Sequence, residues 1–234
     1  MPLISSASAD VNEAPLIRKT VAHEVAAILR EEILRALLPP GTRLLQEEVA
    51  DRFRVSTTPV REAFRMLEAD GLLRRHPHKG VLVFLPSIAD VREAYEIREA
   101  LEMVAVGYAI EAMTATDFEE LEALLEEMDR TIDRGEWISL NNEYHDRIYA
   151  CAGRLRLRSM ILSLRDSMAG YMHTAINNAL QSGRPAQEHR AILEACRTRD
   201  VDGARAAIRL HLHHTVDMAL GFLSDTAGEG LARP

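Results

Sequence analysis

The stretch Val55-Ser56-Thr57-Thr58-Pro59-Val60-Arg61-Glu62-Ala63-Phe64-Arg65-Met66-Leu67-Glu68-Ala69-Asp70-Gly71-Leu72-Leu73 decides the fold. It reads as a helix that opens on small hydroxylated residues, carries outward arginines and stops at a glycine. Ser56 is placed to cap the helix, and Pro59 falls in its first turn, where a missing N–H costs little. Val60, Phe64 and Leu67 recur at helical spacing and form an inward stripe. That leaves Thr57, Thr58, Arg61 and Arg65 on the outer face. Hydroxyls and guanidinium groups at a helix N-terminus suit a DNA major groove, because backbone N–H groups and Arg hold phosphate while neighbouring side chains reach base edges.

Working outward, Gln46 to Phe53 reads as a short preceding helix, with Arg54-Val55 as the tight turn between the two. Beyond Gly71, Leu72 to His76 and Val81 to Leu85 read as two strands joined by Pro77-His78-Lys79-Gly80, a turn with basic residues at its tip. Helix, turn, helix and basic hairpin make a winged helix-turn-helix. A longer helix precedes it from about Lys19 to Leu38, closed by Pro39-Pro40-Gly41. The competing reading, a small α+β unit with a solvated arginine face, does not account for the order of the parts.

The chain of 234 residues is acidic overall, with a net charge of −8, which alone argues against nucleic acid. The charge is unevenly placed. Residues 1–80 carry a net of +1 and residues 81–234 a net of −9. Between Arg54 and Lys79 six basic residues face three acidic ones. A local basic face on an acidic protein fits a sequence-selective dimer better than a general nucleic-acid coat. Cys151 and Cys196 are isolated, so a reducing cytoplasm without disulfides is expected. No apolar run approaches the ~20 residues of a membrane span.

After the hairpin the pattern is helical throughout. Six helices are expected, at about Ile88–Met113, Asp117–Arg134, Glu136–Ala152, Leu155–Ser182, Pro185–Arg199 and Val201–Leu223. Short connections make them an antiparallel bundle. The resulting fold class is mostly α: an N-terminal winged helix-turn-helix followed by an all-α bundle. The expected organisation is a disordered arm over 1–13, a DNA-binding domain over 14–85, a linker over 86–89, a helical effector-binding domain over 90–223 and a disordered tail over 224–234.

The bundle carries a second chemical signal. Asn141 and His145 lie four apart on one helix and share a face. His189 precedes Asp200 and His211 follows Val201 by offsets worth about 16 and 15 Å of helix, so both imidazoles fall at one level of a hairpin. Each histidine alone reads as a surface or hydrogen-bonded core residue. The matched offsets turn the set into a candidate site for a divalent metal. His214 sits one turn from His211, and His213 points elsewhere. His173, on the long helix before, either enters the same cavity or is an ordinary packed histidine.

Two resemblances follow from these residues. Gly41-Thr42-Arg43-Leu44, Val49-Ala50, Val55-Ser56-x-Thr58-Pro59-Val60-Arg61-Glu62-Ala63, Leu67-Glu68-Ala69-Asp70-Gly71-Leu72 and Lys79-Gly80-Val81 resemble the DNA-binding domain of GntR-family bacterial transcription regulators. The likeness covers about Val21 to Leu85. It departs from the family at Thr57, where Arg is usual, and at Arg54, where Gly is usual. Arg43, Arg54, Ser56, Thr57, Thr58, Arg61, Arg65, His78, Lys79 and Gly80 become the candidate DNA-contacting residues. Asn141-x-x-x-His145, Glu188-His189, Arg209-x-His211 and Ile97-Arg98-x-x-Leu101-Glu102 are similar to the FCD effector domain of FadR-type members, over about Ser87 to Leu223.

That second resemblance implies a Zn, Ni or Mn site on Asn141, His145, His189 and His211, beside a pocket for a small organic carboxylate. Asn141 stands where Asp is common, which makes all four ligands neutral and leaves the metal charge free to attract an anion. Arg98 and His173 are the candidate effector contacts, Arg98 through a bidentate fork. The bland alternative for Arg98 is an ion pair with Glu102 one turn on. The expectation is therefore a cytoplasmic, homodimeric, ligand-responsive regulator of a palindromic double-stranded operator. Alternatives from other classes are a metal-dependent hydrolase using the His cluster and a pure metal sensor. Against the hydrolase, His23-Glu24 lacks a second His at the required spacing, and no nucleophile elbow or phosphate loop occurs.

Overall fold

The computed structural model describes residues 21–77, 79–175 and 184–230. The expected arm over 1–13, His78 at the hairpin tip and residues 231–234 lie outside these. Two hydrophobic cores organise the chain. The first joins α1 (Val21–Leu34), α2 (Gln46–Phe53) and α3 (Thr57–Ala69) through Val25, Leu29, Ile33, Val60, Phe64 and Leu67. Strand β1 (Arg43–Leu44) pairs antiparallel with β3 (Gly80–Val83), which pairs with β2 (Leu73–His76), in the order β1-β3-β2. The periodicity of two residues is too short to announce β1, so the sequence reading missed it. Its effect is to hold Arg43 beside the wing, opposite Leu82.

The second core belongs to the six helices after the linker: α4 (Ile88–Ala112), α5 (Ala115–Arg130), α6 (Arg134–Cys151), α7 (Leu155–Ala175), α8 (Arg184–Arg197) and α9 (Val201–Gly230). α4 is central and touches α6, α7 and α9, while α8 lies against α5 and α9. Capping fixes where these helices begin. Ser87 and Asp90 form a reciprocal capping box on α4, and Thr114 and Asp117 do so on α5. Asp133 accepts from the Glu136 N–H at 2.8 Å, and Asp200 from the Gly203 N–H at 2.9 Å. α5 and α6 consequently start about two residues before the sequence reading put them, since the carboxylates at Asp117 and Asp133 belong to the caps. α1 ends at Leu34, short of Leu38, with Ala36 turning at φ 53°. α9 continues to Gly230, so residues 224–230 are helix and not the disordered tail expected of them. No proline interrupts that segment, and each added residue adds one backbone bond to an existing helix.

The two cores meet along α1 and α7. The contact is close: a Cβ at Gly170 would lie 2.6 Å from the Ile33 carbonyl oxygen. Arg30 of α1 forms ion pairs with Asp70, the C-cap of α3, and with Asp166 of α7 at 3.7 Å. Recognition-helix end, α1 and α7 thus share one charged junction.

Candidate functional site

The outer face of the first region is built by its inward stripe. Val60, Ala63, Phe64 and Leu67 are fully buried, which obliges Arg61 and Arg65 to face water. Neither guanidinium makes an ion pair or hydrogen bond among the described residues. Thr57 and Thr58 are exposed in the first turn. Ser56 occupies the N-cap position with extended backbone, but its side chain makes no capping hydrogen bond, so the cap expected of it is one of position only. Arg54 adopts φ 54°, ψ 45° and donates its N–H to the Ala50 and Asp51 carbonyls. This is a left-handed C-cap, the conformation that favours glycine.

At the wing, Gly80 has φ 78°, and a Cβ there would meet the Arg43 Nε at 3.9 Å. Lys79 is exposed next to it. The basic residues divide into two sets. Arg74 stacks over Phe84 at 4.5 Å and approaches Asp90, and Arg75 pairs with Glu68 at 3.2 Å. Arg54, Arg61, Arg65 and Lys79 remain uncommitted among the described residues, and all four project into solvent.

In the bundle, the three histidines meet. His145 of α6, His189 of α8 and His211 of α9 have ring centroids 4.9–5.1 Å apart in all three pairs. Their ligand atoms all lie within 4.8 Å of one another. His145 Nε2 and His189 Nε2 are 3.2 Å apart. Two nitrogens each about 2.0–2.1 Å from a shared ion are themselves roughly 3–3.4 Å apart, so this spacing is that of a chelating pair. Glu188 accepts from His211 Nδ1 at 2.8 Å, which turns the lone pair of His211 Nε2 toward the other two rings. The same carboxylate takes His214 Nδ1 through its other oxygen at 2.5 Å. Tyr144 donates its hydroxyl to the His189 carbonyl at 2.8 Å and ties α6 to α8.

Burial sets the chemistry of these groups. It pushes the His145 and His189 imidazoles well below their ordinary pKa, with Arg165 and the neighbouring rings acting in the same sense. Neutral imidazole is the metal-binding form. Glu188 feels burial upward, but hydrogen bonds from His211 and His214 outweigh it and hold the carboxyl below its usual range. The Asn141 Oδ1 is buried and has no hydrogen-bond partner. An orphaned carbonyl oxygen one turn before His145, with three converging imidazoles, is a donor set that fits a borderline divalent cation.

A cavity of about 360 Å³ adjoins the cluster, lined among others by Arg98, Asn141, His145, Arg165, His173 and His211. His189 lies behind this wall, fully buried. Arg98 is engaged: its Nε donates to Glu102 Oε1 at 2.8 Å, and its guanidinium lies 4.4 Å over the Tyr95 ring. Glu102 is itself fully buried and also accepts the Tyr149 hydroxyl. Of the two readings of Arg98, the structure therefore contains the ion pair. His173 reaches the cavity half-buried, its pKa lowered by burial and then by Arg134. Arg165 of α7 is the residue that sequence reasoning missed. It occupies the stripe Ile161–Arg165–Met168–Met172, and a charge at an apolar helical position was the available signal.

A winged helix-turn-helix joined to a helical bundle with a cavity defines a class, the DNA-binding regulator with a separate helical domain. Comparison with known proteins places the chain within that class. Residues 21–83 match the bacterial regulatory proteins of the gntR family, and residues 93–214 match the FCD domain. The chain belongs to the GntR family, in the branch carrying an FCD domain, and is a transcriptional regulator. The repressor RspR of Escherichia coli K12 is 29% identical over 195 residues, covering 82% of this chain and 86% of the relative. The regulator YdhC of Bacillus subtilis 168 is 28% identical over 190 residues, covering 80% and 85%. The solved structure of E. coli McbR/YncC superposes with a TM-score of 0.76 at 25% identity, covering 86% of this chain and 98% of that one. The matched families and relatives are regulators, which sets the hydrolase reading aside. No helix among the described residues is long and apolar enough to cross a membrane.

Proposed function

We propose that this regulator binds a palindromic operator as a homodimer through α3 and the wing, and that a small carboxylate held in the bundle cavity controls that binding. In this reading His145, His189 and His211, with the Asn141 Oδ1, hold a divalent metal, Zn, Ni or Mn. The metal would supply a fixed positive charge at the cavity wall. The single observation that carries the reading is the convergence of three buried or nearly buried imidazoles from three helices beside an unpartnered amide oxygen. Glu188 orients His211, and Tyr144 holds α8 in register with α6. Arg61, Arg65 and the hydroxyls of Ser56, Thr57 and Thr58 would meet bases and phosphates, with Arg43, Arg54, Lys79 and Gly80 along the backbone. His78 belongs to the same proposal by its place in the sequence.

The junction of Arg30 with Asp70 and Asp166 supports a route from cavity to recognition helix, because α7 lines the one and touches the other. RspR is named a repressor; on that analogy this chain represses from its operator, and in our reading the effector releases it. A cavity beside the cluster favours this over a pure metal sensor, which needs no second compartment. The test is operator binding by the zinc-loaded full chain, selected first against random DNA and then titrated with a panel of small carboxylates. Release by a carboxylate that requires zinc supports the reading; release by zinc alone, with no carboxylate effect, would establish the sensor instead.

A further inference from the structure

Arg98 and Arg165 reach the same cavity with different hydrogen-bond partners. Arg98 is neutralised by Glu102, whose second oxygen is taken by Tyr149. Arg165 has no carboxylate partner among the described residues. Its Nη2 donates to a neutral acceptor, Asn142 Oδ1 at 2.9 Å, and its Nη1 is buried with no acceptor among the described residues. A buried, ionised donor without a partner is costly to maintain, so a fold that keeps one has a use for it. Glu102 gives its hydrogen bonds to Arg98 and Tyr149 and acts on Arg165 only as a nearby charge, so the Arg165 Nη1 is left unmet.

We infer that Arg165, rather than Arg98, reads the effector, and that the effector is a dianion: one carboxylate goes to the histidine cluster and a second anionic group to the free Nη1 of Arg165. This rests on the carboxylate reading above and narrows it. The cavity of about 360 Å³ is at the small end of ligand sites, which suits a short linear dicarboxylate. A guanidinium offers paired donors in a plane that matches a carboxylate. The position has a consequence for signalling. The next residue, Asp166, meets Arg30 of the DNA-binding region, and Gly170, five residues beyond Arg165 on the same helix, lies against Ile33. An anion drawn to Arg165 therefore acts on the helix that touches the head.

The experiment titrates succinate, glutarate and adipate, each beside its half-amide, into full-length zinc-loaded protein by calorimetry. Wild type, Arg165→Gln and Arg165→Lys are compared, with zinc content measured in each. On wild type at least one dicarboxylate should bind at least ~10-fold more tightly than its half-amide. Arg165→Gln should lose that preference while half-amide affinity and zinc content stay the same, and Arg165→Lys should keep part of it. Equal affinity of each pair on wild type, or an equal loss of both compounds in Arg165→Gln, would overturn the inference. If Arg165→Gln does not fold, Arg165→Lys decides: an undiminished preference there means the planar fork plays no part, which also overturns it. If zinc does not bind but the dianion preference appears and disappears with Arg165, the metal reading falls and this inference stands. Binding of none of the six compounds to zinc-loaded wild type sinks both.

Discussion

The DNA-binding region and the bundle handle their polar groups in opposite ways. In the first, Arg54, Arg61, Arg65 and Lys79 stand in water with no partner among the described residues, at little cost, because solvent satisfies them. In the second, Asn141 Oδ1, His145 Nδ1, His189 Nδ1 and Arg165 Nη1 are buried without hydrogen-bond partners among the described residues, at a desolvation cost. One region advertises its ligand by uncommitted charge on a surface. The other advertises it by unmet hydrogen-bonding capacity inside a core. The contrast teaches where each function is vulnerable: the surface to loss of a single long side chain, the core to loss of geometry.

The sharpest way to break the comparison is at the joint between the regions. Gly170→Ala places a methyl 2.6 Å from the Ile33 carbonyl oxygen, where backbone must move. We expect a loss of ~1–3 kcal/mol in urea denaturation, by the same strain that follows overpacking of a core. A stability equal to wild type would mean that α1 and α7 do not meet as described. On the surface side, Arg61→Ala should weaken a selected operator by ~1–3 kcal/mol if the guanidinium reads a base, and uniformly across sequences if it holds phosphate. Unchanged affinity at fixed salt would remove α3 from the interface.

Two smaller effects sharpen the picture of the head. Lys79→Ala should lower the slope of log affinity against log salt by about one counterion, and an unaltered slope would keep the wing off DNA. Arg54→Gly relieves a left-handed residue with φ 54°. It should stabilise the protein by ~0.5–1 kcal/mol in thermal unfolding, less what the more flexible unfolded chain takes back. A gain in stability with a loss of operator affinity would show that the arginine is kept for contact despite its backbone strain.

The head was legible because its information is local. Capping position, inward stripe, turn and wing all lie within one stretch of about Gln46 to Val83, and periodicity alone orients Arg61 and Arg65 outward. What escaped was β1, since two residues carry no pattern, the end of α1 at Leu34, and the missing side-chain cap at Ser56. The bundle was legible in part. Asn141-x-x-x-His145 is a local signal, and the offsets of His189 and His211 from their shared turn placed them at one level, where the structure brings them together. Arg98 and Glu102, one turn apart, allowed two readings that no sequence argument could separate; the structure contains the ion pair and leaves Arg98 on the cavity wall. Arg165 left a sequence signal, a charge in an apolar stripe, but its unmet Nη1 becomes visible only in the tertiary structure. Glu188 is similar: its bond to His211 crosses from α8 to α9.

The central claim is that the His145, His189 and His211 cluster holds a metal on which the operator response depends while the DNA-binding region stands apart from it. It is tested most directly by measuring zinc stoichiometry and operator affinity together in wild type and in His145→Ala. The account predicts tightly bound zinc in wild type, loss of it by ~100-fold or more in affinity in His145→Ala, and operator binding by the effector-free variant within about twofold of wild type. Full zinc retention in His145→Ala, in a folded protein, would contradict it.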